Sequence, residues 1–68
     1  MTFHMLDTVM LLKDVPQSGL QRGDLGAIVD VIGAEAVEVE FVRVSGAIRA
    51  VVTLRQDEVR AMGAEGWK

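Results

Sequence analysis

Few side chains in this sequence of 68 residues are of the types that catalyse reactions or bind metals. The single histidine, His4, could pair with Asp7, but a metal site needs several convergent ligands, so we expect a surface histidine. Ser18 and Ser45 both fall in predicted loops, and neither lies in the motif that surrounds a nucleophilic serine. The sequence therefore offers neither a catalytic triad nor a metal site, and we expect no enzymatic activity.

Two acidic residues, Glu38 and Glu40, are the remaining candidates for acid–base chemistry. A carboxylate pair can act in this way when burial shifts the pKa of one member. Here the two acids alternate with apolar residues in Ala36–Val42, which places both on the face of a strand that is turned toward water. We interpret them as a solvated face, on which Arg49 or Arg55 would be the cross-strand partners.

A glycine-containing segment, Gly23-Asp24-Leu25-Gly26, invites comparison with phosphate-binding loops. It lacks both the GxxxxGK[ST] and the GxGxxG patterns, and no predicted helix follows it. We interpret it as a tight turn that leads into a bent strand, and we expect no cofactor.

The composition bounds the class of protein. The chain has no cysteine, a net charge of −3 and a pI near 4.9. The acidic balance disfavours binding to nucleic acid, and the lack of disulfides and of a signal-like or membrane-spanning segment leads us to expect a cytoplasmic protein that does not contact a membrane. With an aromatic content of 4%, the core must be aliphatic.

Short apolar runs separated by turn signals predict an all-β chain. The runs are Thr8–Lys13, Leu25–Ile32, Ala36–Val42, Ile48–Leu54 and Val59–Met62, with Gly26 as a suspected bend or bulge and Gln56–Glu58 as one helical turn. Closure into a small barrel would remove exposed strand edges. We therefore predict a single domain, residues 1–68, with a five-stranded SH3-like barrel and a flexible tail at 63–68. The alternative is a helix over Leu54–Met62.

Three motifs stand out along the chain: Leu6-Asp7-Thr8-Val9, Arg22-Gly23-Asp24-x-Gly26-x-Ile28-Val29 and Val37-Glu38-Val39-Glu40-Phe41. With these motifs in this order, the chain from Met5 to about Met62 resembles a family of small bacterial proteins that is catalogued as a domain of unknown function. The resemblance implies an SH3-like barrel, and it suggests a gene neighbour that encodes a partner, for example a toxin.

The segment from Gly23 to Phe41 is also similar to the KOW element of ribosomal and transcription-elongation proteins. That resemblance implies association with RNA or the ribosome, for which a folded barrel would have to gather Arg43, Arg49 and Arg55 on one surface.

Four apolar residues are candidates for a partner surface. Met10, Leu12 and Val51 lie opposite the alternating core positions, so they either cover the ends of the barrel or form an exposed patch. Trp67, in the tail, either folds back or anchors a partner. We therefore expect a non-catalytic protein-binding module that acts as an accessory or antitoxin-like partner of a larger bacterial protein, with homodimerisation through the same surface as a variant.

Overall fold

The computed structural model describes residues 3–42 and 48–62, with the backbone but not the side chains of residues 48 and 49. Its elements are five β-strands and two short 3-10 turns. The strands are β1 (Thr8–Leu11), β2 (Leu25–Ile32), β3 (Ala36–Val42), β4 (Ile48–Arg55) and β5 (Val59–Ala61), and the turns are Pro16–Ser18 and Gln56–Glu58.

All five strands form one antiparallel sheet in the order β4-β3-β2-β1-β5. This confirms the predicted all-β fold with a helical turn before the last strand. The alternative helix over Leu54–Met62 is wrong, because Val59 pairs with Leu11 and its side chain is buried, which only an extended strand allows. No hydrogen-bonded pairing joins the outermost strands β4 and β5 within the described ranges, so closure of the barrel stays a prediction.

One apolar core lies against the inner face of the sheet. It is mostly aliphatic, as the composition predicts, and it contains two aromatic rings: Phe3, Val9, Leu11, Val15, Leu20, Ile28, Val37, Val39, Phe41, Leu54 and Val59. The loop between β1 and β2 contributes to this core, because Val15 and Leu20 bridge each other through their backbones and bury their side chains. The sequence did not place Phe3 in the core, since no periodic strand pattern precedes Asp7.

Gly26 occupies the tightest position in the sheet. A Cβ at this residue would lie 2.7 Å from Val39 Cγ1, 2.9 Å from the Glu40 carbonyl oxygen and 2.9 Å from Phe41 Cδ1. The side chains of Val39 and Phe41 thus pack directly over the glycine backbone. A residue without a side chain is required here so that the buried ring of Phe41 can lie against β2.

The irregularity in β2 lies three residues after Gly26. The register with β3 shifts between Ile28 and Asp30, so Val29 is an extra residue, whereas Gly26 is in regular pairing with Phe41 and Val9. The expected bulge at Gly26 is therefore misplaced. The shift matters for packing, because Ile28 before it and Val31 after it both turn toward the core.

The turn between β4 and β5 is held by the carboxylate of Glu58. Glu58 Oε1 accepts a hydrogen bond of 2.9 Å from the backbone N–H of Arg55, and Oε2 accepts one of 3.2 Å from Lys13 Nζ. The backbone hydrogen bond from Arg55 is the largest cause that lowers the pKa of Glu58, and Lys13 and the Arg55 charge add to it. The turn thus depends on an ionised carboxylate.

We expect Gly26→Ala to destabilise the fold by about 1–3 kcal/mol, because the added methyl group must displace the Glu40 backbone as well as two core side chains. Urea denaturation measures this loss. Ala27→Ser adds one atom at the next residue, which faces away from the core, and should stay within about 0.5 kcal/mol of the wild type. Equal stability of Gly26→Ala and the wild type would contradict the close approach.

The lowered pKa of Glu58 predicts how the stability of the fold changes with pH. The stabilisation that its ionised carboxylate contributes is fully present above the ordinary glutamate pKa and is lost as pH falls through the lower pKa of the folded protein. The wild type should therefore be more stable than Glu58→Gln by a constant amount near neutral pH, and this difference should disappear at acidic pH. In a protein that also carries Lys13→Gln, the difference should be smaller but still present, because the hydrogen bond from the Arg55 backbone remains. Urea titrations across pH test this, and an advantage that does not change with pH would contradict it.

Candidate functional site

The outer face of the sheet is the side turned away from the core. In β3, Val37, Val39 and Phe41 are buried, so the alternate residues Glu38 and Glu40 face outward. Directly opposed residues of an antiparallel pair share a face. The pairing therefore places Thr8, Met10, Leu25, Ala27, Val51 and Arg60 on this same outer face.

A shallow groove of about 250 Å³ runs across the outer face between β1, β2 and β3. Its walls are largely apolar and consist of Thr8, Leu25, Gly26, Ala27, Glu40 and Val42. Leu25 and Val42 are 52% and 50% exposed, which is high for large aliphatic side chains in strands. The floor is low because Ala27, whose side chain faces outward, is small.

One carboxylate belongs to the wall of this apolar groove. Glu40 is half-buried and lies between Ala27 of β2 and Val51 of β4. None of the ion pairs or hydrogen bonds among the described residues involves its side chain. The groove can therefore accept an apolar group beside a carboxylate that no described side chain neutralises.

The structure places two of the four predicted partner residues on the outer face, each directly opposite a residue that lines the groove. Met10 lies opposite Leu25 and is half-buried, while Val51 lies opposite Glu40 and is 51% exposed. Leu12 follows the end of β1, where its backbone N–H donates to the Glu58 carbonyl at 2.9 Å, and it does not line the groove. Trp67 lies outside the described residues.

The RNA interpretation requires that Arg43, Arg49 and Arg55 lie on one surface, and the structure describes the side chain of Arg55 alone among these three. Arg43 and the side chain of Arg49 lie outside the described part of the chain. Arg55 is exposed, but its guanidinium is 3.1 Å from Asp57 Oδ1 and 3.4 Å from Glu58 Oε2. Association with RNA stays a prediction, and the one arginine whose surroundings are known already has two carboxylate partners.

The acidic residues Glu38 and Glu40 do not pair with Arg55. The register places Arg55 opposite Ala36, and the nearby carboxylates of the turn hold its guanidinium. Glu38 instead lies opposite Asp30 of β2. The expected cross-strand salt bridge with Arg55 is therefore wrong. The alternative partner, Arg49, has its side chain outside the described part of the chain, so that pairing stays a prediction.

The other sequence candidates have local roles. His4 and Asp7 close a turn, in which the His4 backbone N–H donates to Asp7 Oδ2 at 2.9 Å and the ring Nδ1 lies 3.7 Å from the same oxygen. Gly23, with φ of +96°, and Asp24, whose Oδ2 accepts from the Gln21 N–H, form the tight turn expected before β2. Among residues 3–42 and 48–62, no group of three or more metal-ligating side chains comes together.

A second cleft, of about 350 Å³, lies at the opposite end of the β2–β3 hairpin. It is lined by Ala34, Glu35, Arg55, Gln56 and Asp57. Its polar groups largely bond one another, since Gln56 donates through its backbone to Glu35 and Arg55 is bound to Asp57. The charge of Arg55 in this cleft is therefore already matched by a carboxylate of the turn.

Sequence reasoning missed most of the groove. Leu25, Ala27 and Val42 are strand residues whose outward direction follows from the buried alternates Gly26, Ile28 and Phe41. Because side chains alternate between the two faces of a strand, a buried Phe41 would have predicted that Val42 faces outward.

The part of the chain that the structure describes contains no helix long and apolar enough to cross a membrane.

Comparisons with known proteins give a family without an assigned activity. No curated protein and no solved structure matches the chain. The family described as Domain of unknown function (DUF4926) matches residues 5–61, which includes every strand and the whole groove. The resemblance noted in the sequence to a domain of unknown function is thus confirmed, and this chain belongs to the DUF4926 family.

Proposed function

We propose that the chain is a non-catalytic protein-binding module that receives a partner protein in the groove of its outer face. The observation that carries the proposal is the pair of half-exposed aliphatic side chains, Leu25 and Val42, that line an open groove, with the exposed Val51 beside the groove residue Glu40. Contiguous apolar surface of this kind often marks an interface in a soluble protein. The proposed setting is the bacterial cytoplasm, with the chain as an accessory or antitoxin-like partner of a larger protein.

The rigidity of the groove supports this proposal. Its walls belong to three neighbouring strands, and the inner side of the same strands packs against the core through Val9, Ile28 and Phe41. A site on strands keeps its shape without a partner, so that little conformational entropy is lost on binding. The large exposed side chains can then act as anchors.

Replacing Val51 with glutamate should remove the partner and leave the protein folded. Val51 is half exposed but lies directly opposite Glu40, so the lost strand preference and the like-charge repulsion should together cost about 1–2 kcal/mol. The substitution removes the apolar contact of Val51 and adds a second carboxylate that must lose its water on binding, so partner binding should weaken by at least about tenfold. Leu25→Glu should act in the same way.

The test is an affinity capture from native lysate at physiological salt, with and without nuclease, followed by titration of the purified partner. Ile32→Glu is the matched control, because Ile32 is 45% exposed but lies at the other end of β2. One dominant protein that survives nuclease, is kept by Ile32→Glu and is lost by Val51→Glu would support the proposal. Equal capture by all variants would contradict it, and partners that vanish with nuclease would favour the RNA interpretation.

A further inference from the structure

We infer that the segment that docks in the groove is cationic, with an aliphatic side chain in the groove and an adjacent lysine or arginine that pairs with Glu40. The inference rests on the proposed function and names the chemistry of the partner. It follows from the position of Glu40 in the groove wall, next to Ala27 and Val51.

Covering the groove would remove water from Glu40. A carboxylate that loses its water is strongly unfavourable unless a cation or hydrogen-bond donors replace the lost solvent. The described part of the chain supplies no ion-pair partner to Glu40. None of the described side chains would compensate this charge if a partner filled the groove with apolar atoms alone, so we expect the partner to bring a positive charge.

The charges around the groove favour the same kind of partner. Glu38 lies two residues from Glu40 on the same strand face, at a separation of about 7 Å. Asp30 lies directly opposite Glu38, and like charges in directly opposed positions of a sheet repel each other. Arg55 lies on the outer face of the neighbouring strand, opposite Ala36 and two residues along from the position opposite Glu38, but its guanidinium is bound by Asp57 and Glu58. Arg60 is farther away on β5, with β1 and β2 between it and Glu40.

This charge pattern selects a cationic partner over a second copy of the chain. Each copy carries a net charge of −3, so a face-to-face pair would carry −6. Three carboxylates on each face, those of Asp30, Glu38 and Glu40, would approach their counterparts across the interface. The same repulsion acts against the phosphates of a nucleic acid.

The inference is tested with a library of random peptides displayed on phage and selected against the purified, immobilised full chain. The enriched peptides should carry lysine or arginine beside an aliphatic residue. Selection against Glu40→Gln should lose the basic residues and keep the aliphatic ones. Glu35→Gln removes the same charge at the far end of the β2–β3 hairpin and should give the wild-type result.

The affinity of a synthetic copy of the most enriched peptide gives the quantitative test. Glu40→Gln should weaken its binding by roughly tenfold, the loss expected for one charge-assisted hydrogen bond, and should lower the salt dependence. No enrichment, enrichment without basic residues, or equal affinity of Glu40→Gln would overturn the inference. So would a wild-type dimer in light scattering that Val51→Glu dissociates.

The two proposals fail in distinguishable ways. If Val51→Glu loses the captured protein while Glu40→Gln binds it as the wild type does, the binding surface stands and the cationic chemistry is overturned. If neither substitution changes the capture and Ile32→Glu behaves identically, the outer face is not the binding surface and both proposals are overturned.

Discussion

The close packing of Phe41 and Val39 over the backbone of Gly26 determines how β2 and β3 lie against each other, and the groove depends on it. Because the ring of Phe41 is buried on the inner side, the neighbours Glu40 and Val42 must face outward. On β2 the same parity turns Leu25 and Ala27 outward. One contact in the core thus sets the side chains that form the groove on the opposite face, so the stability of the fold and the shape of the surface share a physical cause.

The register shift at Val29 has a second effect on the outer face. Without the extra residue, a strand that buries Ile28 would turn Val31 outward and Asp30 inward. With it, both apolar residues pack on the core and Asp30 lies on the outer side, directly opposite Glu38. The bulge therefore protects the core from a buried charge and at the same time enlarges the negative part of the outer face. The apolar groove lies toward one end of the β2–β3 pair and the Asp30–Glu38 pair lies beyond it.

A domain of this size uses most of its large apolar side chains in one core, so a binding function has to use what remains on the surface. Here part of the remainder is grouped: Leu25 and Val42 line one groove, Val51 lies beside it, and Glu40 adds a charge that the described residues do not neutralise. Arg55 and Lys13 are arranged differently, since both are bound to carboxylates of the turn before β5 and stabilise that turn. This role in the fold accounts for Arg55, one of the three arginines that the sequence presented as candidates for RNA contact.

The sequence by itself determined the strands, the turn before β5 and the aliphatic character of the core, because these follow from local alternation of apolar and polar residues and from turn chemistry. It also placed Met10 and Val51 on the outward side of their strands. Only the tertiary structure decided the position of the bulge at Val29, the burial of Phe3 and the pairing of Lys13 with Glu58, since each depends on register and on contacts between residues distant in the chain. The groove was also decided by the tertiary structure. Leu25, Glu40 and Val42 form one surface only when β2 and β3 pair in the register that the packing over Gly26 allows.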